Sequence, residues 1–150
     1  MKTFLLLLIA FLAPLPVPAQ VTPFTVVTLT NVPATLASGT ASNSLNSYVP
    51  ILQNSGLAVQ WIYNTSSGNG STSALYFFPS ADGTNYATTN AWILPSLSTG
   101  TTNVVATTNW SAATLAGYSG LFLLTATNGT AGTLTNKSLL VTRWNPPRSN

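Results

Sequence analysis

The sequence contains no cysteine and no histidine, and its one acidic side chain is Asp82. Without cysteine there is no disulfide framework, so an apolar core alone must hold the fold. A chain of 150 residues is long enough to build one. Without histidine, cysteine or a second carboxylate, no Ser-His-Asp or Cys-His machine can be assembled. The paired carboxylates of glycoside hydrolysis and the usual ligands of zinc and other transition metals are missing as well. No side chain titrates near neutrality in its unperturbed state, and no glycine-rich phosphate loop occurs. Catalysis is therefore not expected. Two remaining routes also fail on sequence. Asp82-Gly83-Thr84 has turn order rather than the Asp-Thr-Gly of paired-aspartate proteases. A Ser-x-x-Lys dyad at Lys137 is excluded because residue 134 is Leu134.

Charge of either sign is scarce, at 3% of residues against roughly a quarter in ordinary soluble domains. The pI near 9.6 follows from the lack of acids. Lys137, Arg143 and Arg148 form no basic stripe, so nucleic acid is not an expected partner. Little charge also means little colloidal repulsion, which favours packing against protein neighbours or like subunits. Asp82, Asn85 and nearby carbonyls are the one oxygen set that resembles a calcium loop. A single carboxylate makes such a site weak and the EF-hand spacing is absent, so no cofactor is expected.

What is present begins with a leader. Lys2, the apolar run Phe4–Ala13, the prolines Pro14, Pro16 and Pro18, and Val17-Pro18-Ala19 have the layout of a signal peptide cleaved after Ala19. The apolar run is about half of what a spanning helix needs, so no stable membrane span is expected after cleavage. The expected organisation is a signal peptide over 1–19 and one domain over 20–150. The expected location is secreted or on a bacterial surface, or in a virion if phage-encoded.

From Gln20 onward, short β-forming runs alternate with Thr, Ser, Asn and Gly. Phe24–Val32 reads as a strand ended by Pro33. Ala34–Ser47 reads as loop with one short edge strand. In Leu57–Tyr63 the residues Leu57, Val59, Trp61 and Tyr63 share one face, the parity of core residues. Asn69-Gly70 has the composition of a tight hairpin before the strand Ala74–Phe78. Asp82-Gly83 predicts a hairpin turn with its return strand at Tyr86–Thr89. Further strands are expected near Ala91–Leu94, Val104–Trp110, Gly120–Thr127 and Ser138–Trp144. Asn128-Gly129 is read as a turn between the last two, with Lys137 solvated in that hairpin. Ser111–Ala116 makes one helical turn at most. Thr-Thr-Asn recurs at 88–90, 101–103 and 107–109 with uneven spacing, as compositional bias. The fold class is all-β: a single antiparallel two-sheet sandwich, immunoglobulin-like or jelly-roll, of roughly seven to nine strands.

The aromatic residues are the candidate binding groups. Tyr76, Phe77 and Phe78 are consecutive on a strand, so either the strand is covered on both sides or Tyr76 and Phe78 oppose Phe77 and are partly exposed; with Trp92, Trp110 and Trp144, open to the same two readings, they make the candidate binding surface. Asn-x-Ser/Thr sequons at Asn64, Asn69, Asn109, Asn128 and Asn136 are read as products of composition.

The segment Phe77–Tyr86 (FFPSADGTNY) resembles a strand–SxDGTxY–strand hairpin of small β-sandwich proteins from bacteriophage virions and of bacterial surface and carbohydrate-binding sandwiches. Thr35–Asn43 and Ala126–Arg143 extend that resemblance loosely. It implies a sandwich fold and no catalytic residues. The expected function is a non-catalytic exported structural or interaction module, such as a virion accessory or surface assembly protein. The alternative is a carbohydrate-binding module using exposed aromatics on a polysaccharide.

Overall fold

The structure, a computed structural model, describes residues 25–28, 32–43, 45–52, 55–68 and 70–144. The leader, Asn69 and Arg148 lie outside the described residues. The strands are β1 Thr25–Thr28, β2 Thr35–Leu36, β3 Ala41–Ser42, β4 Ser47–Pro50, β5 Gly56–Thr65, β6 Thr72–Ser80, β7 Trp92–Leu97, β8 Val104–Trp110, β9 Gly120–Thr127 and β10 Leu134–Trp144. A one-turn helix, α1 (Ala112–Leu115), precedes β9. Ser111 caps it by accepting the Thr114 N–H.

The strands form two antiparallel sheets. One has the order β1-β10-β5-β8, with β2 beside β1 on β10. The other has the order β3-β9-β6-β7, with β4 beside β3 on β9. Counting each split pair as one position gives eight positions, interleaved between sheets in the jelly-roll manner rather than the immunoglobulin one. The expected single edge strand within Ala34–Ser47 is two short ones, β2 and β3, because the chain crosses from one sheet's edge to the other's there.

This topology corrects the reading of the turns. Among the described residues, β6 and β7 are the only consecutive strands that pair. The segment with Gly70 links β5 and β6 across the two sheets, and Asn128-Gly129 begins the crossing from β9 to β10. Asn-Gly composition reports backbone freedom, and both an arch and a hairpin need that. Lys137 is likewise not in a turn. It is exposed at a β-bulge inside β10, where the register with β5 shifts between Asn136 and Ser138.

The core follows the parity of β5. Leu57, Val59, Trp61 and Tyr63 are all buried and face Leu75 and Phe77 of β6, Leu94 of β7, and Leu121 and Leu123 of β9. A bulge at Leu124 resets the parity of β9, so that Ala126 also points inward. The polar atoms of the two aromatic side chains at the centre of the core are paired. Trp61 Nε1 donates to Asn136 Oδ1 at 2.7 Å, and the Tyr63 hydroxyl lies 2.9 Å from Ser96 Oγ.

Candidate functional site: the aromatic end of the sandwich

β5, β7 and β9 begin, and β6, β8 and β10 end, at one end of the sandwich. The rows there place Arg143, Leu57 and Trp110 side by side on three strands, and Phe77 beside Trp92. Three of the four tryptophans sit at this end. Trp92 and Trp110 have inward parity but belong to the two edge strands, β7 and β8, where one sheet meets the other. They therefore pack on the core from its open rim and keep part of their surface outside. Trp110 meets buried Phe77 edge-on at 5.5 Å between centroids. Trp92 lies 5.4 Å from Trp110, with 47° between the planes.

Tyr118 completes the cluster. Gly117 adopts φ +88° after α1, and the chain turns so that the Tyr118 ring stands at 89° to Trp92, 5.5 Å away. It is 38% exposed. The segment entering β7 carries Thr88, Thr89 and Asn90, all exposed, and their side chains make no hydrogen bond within the described residues. Hydroxyl and amide groups thus stand free beside Trp92, and no charged residue lies between Ala87 and Ser119. The cluster is an uncharged apolar corner with free hydrogen-bonding groups on its rim.

The five aromatic residues read from the sequence do not form one surface. Trp92 and Trp110 join the corner. Tyr76 and Phe78 lie on the outer face of the β3-β9-β6-β7 sheet, where Tyr76 pairs with exposed Ile93. Phe78 sits in a row with Phe122 and Tyr48 on adjacent strands. Trp144 is on the outer face of the other sheet, and its ring lies over Gly56, where any side chain would collide with it. All five are partly buried.

The Asp82-Gly83 segment lies in the β6–β7 connection, but Tyr86–Thr89 is not its return strand. Pairing with β6 resumes at Trp92. The connection folds back instead, and the Tyr86 ring settles 5.3 Å from Phe122 and 6.0 Å from Phe78. Asp82 organises this. Its carboxylate accepts the backbone N–H groups of Asn85 (2.7 Å) and Thr84 (2.8 Å), the Asn85 side-chain amide (2.8 Å) and the Ser80 hydroxyl (3.2 Å). Those donors, the Asn85 backbone first, hold its pKa far below the usual carboxylate range. The carboxylate oxygens face N–H and O–H donors, which is the surrounding of a turn and the opposite of a calcium loop. Gly83, at φ +78°, supplies the left-handed residue of the turn.

No protein-family model matches the chain, and no curated protein matches it in sequence. Among solved structures, the chain is similar to a xylan-binding module, CBM15. The TM-score is 0.45 at 15% identity, over 80% of this chain and 97% of that one.

Tyr118 and Tyr86 were not legible as surface groups in the sequence. Strand parity assigns no direction to a loop residue, and the sequence pattern places Tyr86 in a strand. The signal for Tyr118 was the Gly-Tyr pair directly after a Ser-capped turn. Arg143 is a further surprise: it has inward parity, and its buried Nε has no hydrogen-bond partner. Two sequons are occupied by internal bonds, since the Asn128 and Asn136 amides are committed to backbone carbonyls. No helix among the described residues is long and apolar enough to cross a membrane.

Proposed function

We propose that the chain is a non-catalytic module that binds an uncharged glycan at the Trp92–Trp110–Tyr118 corner. The carrying observation is the convergence of three partly accessible rings beside exposed hydroxyl and amide groups, on a stretch, Ala87–Ser119, that carries no charged side chain. Sugar rings offer C–H faces that stack on aromatic rings and hydroxyls that exchange hydrogen bonds with Thr and Asn. The rings and the hydroxyl and amide groups beside them carry no charge of their own, which fits a neutral sugar. Export through the leader, cleaved after Ala19, belongs to the same reading, because extended glycans lie outside the cytoplasm.

The test is a titration with soluble xylan, mixed-linkage β-glucan, galactomannan and dextran, followed by tryptophan emission. One of these should shift the emission saturably, and Tyr118→Ala should weaken that binding about tenfold, the worth of one aromatic contact. The absence of any shift across a wider panel of neutral glycans would reject the proposal.

An assembly role has one observation in its favour. Ile93 and Leu97 on edge strand β7 are 49% and 57% exposed, with exposed Pro95 between them. Under that reading Ile93→Lys dissolves an oligomer and leaves glycan titrations blank.

A further inference from the structure

The angles between the rings narrow the class of glycan. Resting on the glycan reading above, we infer that the corner accepts one or a few sugar rings of a soluble chain or chain end, and rejects flat crystalline polysaccharide surfaces. A flat surface gains from several aromatic rings only when they lie in one plane, so that each touches it at once. Here Trp92 and Trp110 are inclined at 47°, and Trp92 and Tyr118 at 89°. Among the described residues, no pair of rings in contact comes closer to parallel than 36°, and that pair is the buried Trp61 and Tyr63.

The other partly exposed rings do not extend a plane from the corner. Trp144 lies on the outer face of one sheet, and Tyr86 covers the outer face of the other. A ring at right angles to its neighbour makes one floor and one wall, and a floor and a wall enclose a single sugar ring. The free hydrogen-bonding groups agree with this. Thr88, Thr89 and Asn90 lie at one side of the corner, entering β7, and do not form a row along a sheet face.

Two assays on the full-length exported protein separate this inference from the glycan reading. The first measures depletion onto microcrystalline cellulose and α-chitin. The second is calorimetry with xylose-, glucose- and mannose-based oligosaccharides from one to six rings long. The inference expects no depletion onto either solid. It also expects affinity for one series to rise up to about three rings and then to change less than about threefold, since rings beyond the corner touch nothing. Tyr118→Ala should lower this affinity about tenfold at every length on the plateau. Depletion onto a crystalline solid, or affinity climbing about tenfold for each ring up to six, would overturn the inference while leaving glycan binding intact. Blank results with every solid and every oligosaccharide would overturn both.

Discussion

The two ends of the sandwich are closed by different chemistry. At the end where β5 runs on toward β6, the loops are joined by hydroxyl and amide groups. Asn128 is the centre: its buried side chain donates to the carbonyls of Leu36, Ala37 and Gly132 and accepts from the backbone and hydroxyl of Thr130. Thr130 in turn meets Thr65 at 3.0 Å, and Ser66 Oγ accepts the Thr133 N–H. At the other end the Asp82 turn is internally bonded, but rings from edge strands and one loop lean on the core and on one another, and the side chains of Thr88, Thr89 and Asn90 beside them make no hydrogen bond among the described residues. A closed network of directional bonds fixes one arrangement and leaves nothing free for a partner. A rim of inclined rings closes the core less completely and keeps contact area and donors available. On the function proposed above, the first end carries stability and the second carries recognition.

The sharpest way to break that contrast is at Asn128. Asn128→Ala leaves several buried carbonyls and an amide unpaired, and should destabilise by about 2–4 kcal/mol in urea unfolding. A loss within about 0.5 kcal/mol, the range of an ordinary surface site, would show that the network is not what holds that end.

Gly83→Val forces a β-branched residue into the left-handed region and should cost about 1–2 kcal/mol. Asp82 offers a finer probe of the same loop. Its pKa is depressed in the fold, so its contribution is fully present above the unfolded value, near 3.9, and is lost as pH falls below it toward the folded value. No other Asp or Glu exists and there is no histidine. The melting temperature should therefore be flat from about pH 5 to 7 and fall only in stronger acid. Asp82→Asn should remove that acid limb. A limb that survives in Asp82→Asn would place the acid sensitivity elsewhere.

These residues also show what the sequence discloses. The alternation of Leu57, Val59, Trp61 and Tyr63 identified the core face of β5, because burial on one face imposes a period of two, and β8 and β9 follow the expected Val104–Trp110 and Gly120–Thr127. The two-sheet fold class was legible for the same reason. Connectivity was not. Gly70, Gly83 and the Asn128-Gly129 pair mark where the chain bends, but the sheet that the next strand joins is decided by packing between residues far apart in sequence. The candidate site was half legible. Trp92 and Trp110 stood out as aromatics, whereas their convergence on Tyr118 depends on two edge strands and a loop meeting at one rim.

Arg143 tests the aromatic end from β10, a strand that carries none of the three clustered rings. Its Nε is buried and unpartnered, so Arg143→Met should be neutral or stabilising by up to about 1 kcal/mol in thermal unfolding. Destabilisation well beyond that would mean that the guanidinium has a structural partner at this end.

The most direct measurement pairs stability with binding in one variant. Tyr118→Ala removes a ring that is 38% exposed and touches Trp92 alone among the aromatics. Its unfolding free energy should change by less than about 1 kcal/mol, while the saturable shift of tryptophan emission on adding the bound neutral glycan should weaken about tenfold. Unchanged glycan affinity in a folded Tyr118→Ala protein would contradict the assignment of recognition to the aromatic end.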